Sequence, residues 1–403
     1  MAVTQPESPG YIYRLYNRVS GKIDLFTDSG NWKIKISLLC CLYALITSAP
    51  NYLHFSQSGL ESSEFRAMFY EQYNALHEQI AHPFLQQNGS AQEHAGKLAF
   101  RFMPAILGKI IPSQNLFVQM CGIYILNNIA GFFFFWAVIG IVYRFSENKR
   151  FAVLAALNFT VIYAGKSFFF DTFLWNDGLA YCFLILALLR LPDAIRIIFL
   201  LAAYFTDERA VFGGILVYAT YLLINSMEPA YWKKWRAHMP FLISIVCYVM
   251  IRLSMTRLLD MHTPVGQDTG VGFLLFLKIV KPAILALPGL FFPFKVWWFF
   301  FPLAFWAVRK SIWIAVVFSG AFAILIFTAL SVHDISRSIT YSFPAVLLCI
   351  YLVWTRRLYN GIKDPGYSLF FILLLNICIP TVFVIRNNLH ILPPIDRVIK
   401  HIL

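Results

Sequence analysis

Ile197-Ile198-Phe199-Leu200-Leu201-Ala202-Ala203-Tyr204-Phe205-Thr206-Asp207-Glu208-Arg209-Ala210 takes an apolar run into three consecutive charges, and a second apolar run then continues to Met227. A spanning helix needs about 20 apolar residues, and the run ahead of the charges has about half of that. Either the helix begins before Pro192, or Thr206 to Arg209 lies within the membrane boundary at the floor of a cavity. Ionisable groups at such depth are costly and mark functional sites. The stretch therefore predicts a helical membrane protein with a site built around this turn.

Composition agrees. Of 403 residues, 59% are hydrophobic and only 13% charged, whereas soluble domains average about 25% charged. The apolar excess is spread over almost the whole chain, which predicts an all-α, polytopic transmembrane protein. Net charge is +13. Lys and Arg here serve the rule that fixes topology on the cytoplasmic face, so nucleic acid is not the expected partner. The seven cysteines form no CxxC or Cys/His cluster, and neither a disulfide framework nor a zinc site is expected.

Charge sorting gives the organisation. Residues 1–35 carry Arg14, Arg18, Lys22, Lys33 and Lys35 and read as a cytoplasmic segment. Residues 36–386 form the transmembrane domain, with a long outer loop at 53–97, and 387–403 form a basic outer tail. Within the outer loop, Phe65, Met68, Phe69, Tyr73, Leu76 and Ile80 recur at helical spacing, which predicts an amphipathic helix on the membrane surface. Later spans are expected over Phe117 to Val142, Phe151 to Ala164, Met239 to Leu258, Val296 to Val308, Ile312 to Leu330, Ile339 to Trp354 and Tyr367 to Ile385. Segment 271–294, interrupted by Lys278, Lys281, Pro282, Pro288 and Pro293, reads as re-entrant. The total is about eleven crossings with the N-terminus inside.

On this topology the outer face collects carboxylates and cations. The catalytic candidates are Asp207, Glu208 and Asp171; Asp177, His333 and Asp334 are secondary ones. A carboxylate there can act as general base on an acceptor hydroxyl. Arg101, Lys166, Arg209 and Arg337 can hold a phosphate leaving group and offset its developing charge. Each has a structural alternative: Asp207 with Arg209 can be an ion pair, and Asp334 with Arg337, three residues apart, can pair locally. No Asp/Glu/His set stands at ligand spacing, so no metal ligands are assigned and a divalent cation is left open.

The outer loop with its surface helix, the charge motif Thr206-Asp207-Glu208-Arg209 and the outer Asp334-Ile335-Ser336-Arg337 resemble the multi-spanning glycosyltransferases of the GT-C type. That resemblance implies transfer of a sugar from a polyprenyl-phosphate donor to a glycan, lipid or protein acceptor at the periplasmic or lumenal face, in a bacterial inner membrane. Such enzymes place an acidic residue early in the first outer loop. Here Tyr52-Leu53-His54-Phe55 follows the first span, and the first carboxylate is Glu61. Two other classes fit the same pattern: a polysaccharide polymerase or ligase using a polyprenyl-diphosphate glycan, and a transporter or flippase for a lipid-linked substrate.

Overall fold

The computed structural model describes residues 10–48, 73–84, 99–225, 237–259, 283–309, 312–332, 334–355, 364–385 and 388–392. Within them the chain is almost entirely helical. Among the described residues three helices are long and apolar enough to cross a bilayer: Leu116–Ser146, Met239–Leu258 and Ile312–Leu330. The helices Lys149–Thr160 and Tyr163–Phe170 qualify together as one span bent by 60°. The other apolar helices, including Asp177–Leu186, Ala210–Asn225, Pro344–Trp354 and Pro365–Cys378, are shorter.

Local chemistry sets these boundaries. Asn115 accepts the amides of Phe117 and Val118 and starts the 31-residue Leu116–Ser146 helix. Glu147 ends it in the left-handed region, and Asn148 caps the next helix through the Phe151 amide. The turn is therefore tight, and the Lys149–Thr160 helix folds straight back. Met239–Leu258 leaves Leu242, Val246, Val249, Met250 and Leu253 exposed, and Ile312–Leu330 leaves Val316, Ile324 and Phe327 exposed. Without a bilayer these apolar stripes would face water, so they are the lipid-facing surfaces. The Tyr163–Phe170 helix is the opposite case and is buried at every position.

The loops that charge sorting assigns to one face meet one another. Lys149 Nζ donates to the Thr27 carbonyl at 2.9 Å, Arg150 pairs with Asp24, and Tyr16 Oη donates to Asp364 Oδ2 at 2.7 Å. The loops assigned to the other face also meet. Tyr73 Oη donates to the Thr172 carbonyl at 2.6 Å, and the Met103 amide donates to the Phe205 carbonyl at 3.2 Å. Leu116–Ser146 runs from the second group to the first, a rise of about 46 Å at 1.5 Å per residue.

Four expectations change. The span expected over 151–164 is a helix broken at Val161–Ile162. Neither residue there is a proline or glycine, but Gly165 permits the crossing: a Cβ on it would sit 2.1 Å from the Phe159 carbonyl oxygen. The span expected over 296–308 is two short pieces, a 3₁₀ turn Lys295–Phe299 and a helix Phe301–Val308. The last span stops at Cys378, because Ile379 before Pro380 is extended (φ −89°, ψ 125°). The β-branched run Thr381–Ile385 then pairs antiparallel with Asn388–Leu392, so the start of the basic tail is a hairpin strand. Finally, residues 73–81 are helical but are packed on protein, with Tyr73 and Ile80 buried against Ala105, Met120, Ile123 and Leu174. The earlier part of that amphipathic stretch, with Glu64 and Glu71, and the first half of the re-entrant segment, 271–282, lie outside the described residues.

Candidate functional site

The Thr206–Arg209 turn is built from its own side chains. Helix Asp193–Tyr204 starts directly after Pro192. Its twelve residues rise about 18 Å, well short of a hydrocarbon core about 30 Å thick. The Asp207 amide still donates to the Ala203 carbonyl at 3.1 Å. Asp207 Oδ1 then accepts the Arg209 amide at 2.9 Å, just ahead of the Ala210–Asn225 helix. A carboxylate there satisfies an orphan amide and lies at the positive end of the helix dipole.

From this turn a continuous ladder of alternating charge runs through the protein. Glu208 receives Arg101 through both oxygens, at 2.9 and 2.7 Å. Arg101 also reaches Asp207 at 3.2 Å. Asp207 is clamped by Arg209 at 2.8 and 2.7 Å. Arg209 Nη2 continues to Asp177 at 3.1 Å, and its Nη1 donates to Ser338 at 2.9 Å. Asp177 pairs with Arg337 and also accepts Tyr341 Oη at 3.1 Å. Arg337 Nη1 ends the ladder on Asp334 at 2.7 Å. Four carboxylates thus alternate with three guanidiniums, drawn from segments far apart in the chain.

The middle and the ends of the ladder differ. Asp207 is fully buried, and guanidiniums or amides hold both its oxygens. Asp177 is equally enclosed. Glu208 and Asp334 retain 34% and 28% side-chain exposure. Ionised carboxylates accept at about four lone-pair sites, and those of Asp207 and Asp177 are taken, so the ladder is reachable from outside at its ends and not in its middle.

Asp171 sits just outside the ladder and shapes a loop. Its oxygens accept the Trp175 amide at 3.1 Å and the Asn176 amide at 2.8 Å. Leu174 and Asn176 are held at φ 57° and 60° there, and left-handed leucine is strained. The result is a fixed Trp175, whose ring lies 4.6 Å from the Arg337 guanidinium and stacks on Phe173. Burial, then the charge of Asp177, push the Asp171 carboxyl up to about 7 against the pull of the two amides and Arg337.

The structure thus brings Arg101, Asp177, Asp207, Glu208, Arg209, Asp334 and Arg337 into one network, with Asp171 beside it. Lys166 is buried on the Tyr163–Phe170 helix and joins no described ion pair. His333 lies outside the described residues. Sequence reading missed Trp175, Ser338 and Tyr341, which carry no local signal. It also missed Lys295, which does carry one: a lone charge in the aromatic run from Phe291 to Phe301. Among the described residues no group of three or more His, Cys, Asp or Glu side chains is placed to hold a metal ion. No protein-family model, no curated protein and no solved structure matches the chain.

Proposed function

We propose that the chain is an integral-membrane glycosyltransferase acting at the non-cytoplasmic face. It takes a sugar from a polyprenyl-phosphate donor and passes it to a glycan, lipid or protein acceptor. In the reaction the bond between the sugar C1 and the phosphate oxygen breaks, and polyprenyl phosphate leaves with the electron pair. The acceptor oxygen forms the new bond to C1, and its proton passes to a carboxylate.

One observation carries the assignment of roles: only the ladder's two ends are accessible. Asp207 and Asp177 are organisers whose lone pairs are taken by arginines and amides. Asp334 is the general base in this reading. Its carboxylate accepts Arg337 Nη1 at 2.7 Å and keeps 28% side-chain exposure. Arg337, fixed between Asp177, Asp334 and the Trp175 ring, orients that base.

The test is release of free polyprenyl phosphate from a panel of polyprenyl-phosphate hexoses, with the protein in proteoliposomes. Asp334→Asn should lower kcat by about 10²- to 10⁴-fold, the usual contribution of a general base, with KM little changed. Loss in Glu208→Gln with Asp334→Asn active would move the base to the other end of the ladder. Absence of release from every donor would end the transferase reading. A second reading, a transporter of a lipid-linked substrate, is favoured by the broken span at 160–163. It predicts movement of intact donor across the bilayer without cleavage.

A further inference from the structure

We infer that Lys166 and Lys295 form a buried binding site for a phosphate group, separate from the arginine ladder. The inference rests on the donor chemistry proposed above and names the group that holds its phosphate. Lys166 is only 7% exposed, and among the described residues no hydrogen-bond partner or carboxylate stands within bonding distance of its ammonium. Two residues further along the same helix, Phe168 packs on Gly131, the midpoint of Leu116–Ser146. Lys166 therefore sits at about half the length of the longest helix. An unneutralised ammonium at that depth is among the costliest arrangements a membrane protein can hold.

A second buried ammonium lies on the segment to which this helix is hydrogen-bonded. The Tyr163 amide, one turn before Lys166, donates to the Pro293 carbonyl at 3.1 Å, which ties this helix to the strand of chain leading into Lys295. Lys295 is 2% exposed and is held at φ 53°. Its Nζ donates to the carbonyls of Asn376 at 3.0 Å and Ile379 at 2.8 Å. That leaves one of its three N–H groups for a ligand. Holding the end of a helix accounts for Lys295 alone, but it gives no reason for a second buried cation on the helix tied to that segment. Two buried ammonium groups that pair with no carboxylate among the described residues are complementary to a phosphate.

The three arginines that looked suited to this task are each paired with carboxylates. Binding phosphate there would require breaking existing ion pairs, whereas binding at Lys166 would relieve repulsion. Lys166→Met tests this, because methionine keeps the packing and removes the charge. Without ligand the variant should unfold at a higher temperature than wild type in detergent.

The probes are inorganic phosphate, decaprenyl phosphate and uncharged decaprenol, read by thermal stabilisation and by native mass spectrometry. Decaprenyl phosphate should bind wild type, and Lys166→Met should weaken it about ten-fold or more, the worth of a charged hydrogen bond. Lys166→Arg should keep most of the affinity. Stabilisation by inorganic phosphate alone, lost in Lys166→Met, would support the anion site and overturn the lipid source. Lys166-independent binding of decaprenyl phosphate would overturn the site while leaving the transferase reading standing. Lys166-dependent binding without sugar transfer would leave the site standing and remove that reading. No binding of either phosphate overturns the inference.

Discussion

Asp177 is the joint on which the ladder can be broken. Its Oδ1 accepts Arg209, Arg337 and Tyr341, and its Oδ2 accepts Arg337. Asp177→Asn keeps the shape but replaces an accepting oxygen with an amide that faces a guanidinium donor. Removing one partner of a buried ion pair costs about 3–5 kcal/mol, because a charge is left uncompensated. Arg209 retains Asp207 and Arg337 retains Asp334, so the lower end, about 3 kcal/mol, is expected. Glu208→Gln removes a carboxylate whose side chain is one-third exposed, and should cost about 1 kcal/mol or less. Reversible unfolding by SDS in mixed micelles measures both. The pair Asp177→Asn and Arg337→Met should be strongly non-additive, since each removes the same contact. A cost below about 1 kcal/mol for Asp177→Asn, or one equal to that of Glu208→Gln, would refute the view that the middle of the ladder is a structural frame.

Three further outcomes are expected. Gly165→Ala puts a Cβ 2.1 Å from the Phe159 carbonyl oxygen; the backbone must shift, and unfolding and transfer assays should both show a large loss. Asp171 holds its proton up to about pH 7 in the folded protein, while the unfolded chain releases it near pH 3.8. Stability from this group is therefore greatest at low pH and declines as pH rises through that window; a pH series on Asp171→Asn should lack this decline. Asp24→Asn removes the pairing with Arg150, whose side chains are 46% and 35% exposed, and should change stability by less than about 1 kcal/mol in the same titration.

Much of the outline is readable from apolar length and charge. Met239–Leu258 and Ile312–Leu330 are spans in the sequence and helices of the same bounds in the structure. The charge motif at 206–209, the Asp-x-x-Arg at 334–337 and Asp177 meet as a single cluster because each terminates or begins an apolar helix at the same end of the bundle. Hydropathy cannot show where a helix bends without proline, and the break at Val161–Ile162 depends on a close approach between Gly165 and Phe159 that only tertiary packing reveals. Nor can it separate a strand from the end of a span when both are apolar. Thr381–Ile385 reads as more of the same run, and the extended residue before Pro380 is the local signal that ends it. Pairing is invisible for a different reason. Arg101 meets Asp207 and Glu208 across more than a hundred residues, and no spacing rule reaches that far.

The pairing pattern divides the site's charges into two kinds. In the ladder each guanidinium lies between carboxylates, and there is one more carboxylate than guanidinium, so the network has no positive charge left for an anion. A departing phosphate needs cations that are not already neutralised, and in the site proposed above Lys166 and Lys295 would supply them. The Tyr163–Phe170 helix links the two systems directly, with Lys166 in its middle and Asp171 at its end, next to the loop that sets Trp175 over Arg337. Its complete burial and its 60° break place a short rigid element between the proposed leaving-group site and the accessible carboxylate Asp334. On this argument the arginines first suggested as phosphate ligands give the site its rigidity, and the lysines beside them give it affinity. Lys166→Met should therefore lose ligand while gaining stability, and Asp177→Asn should lose stability first.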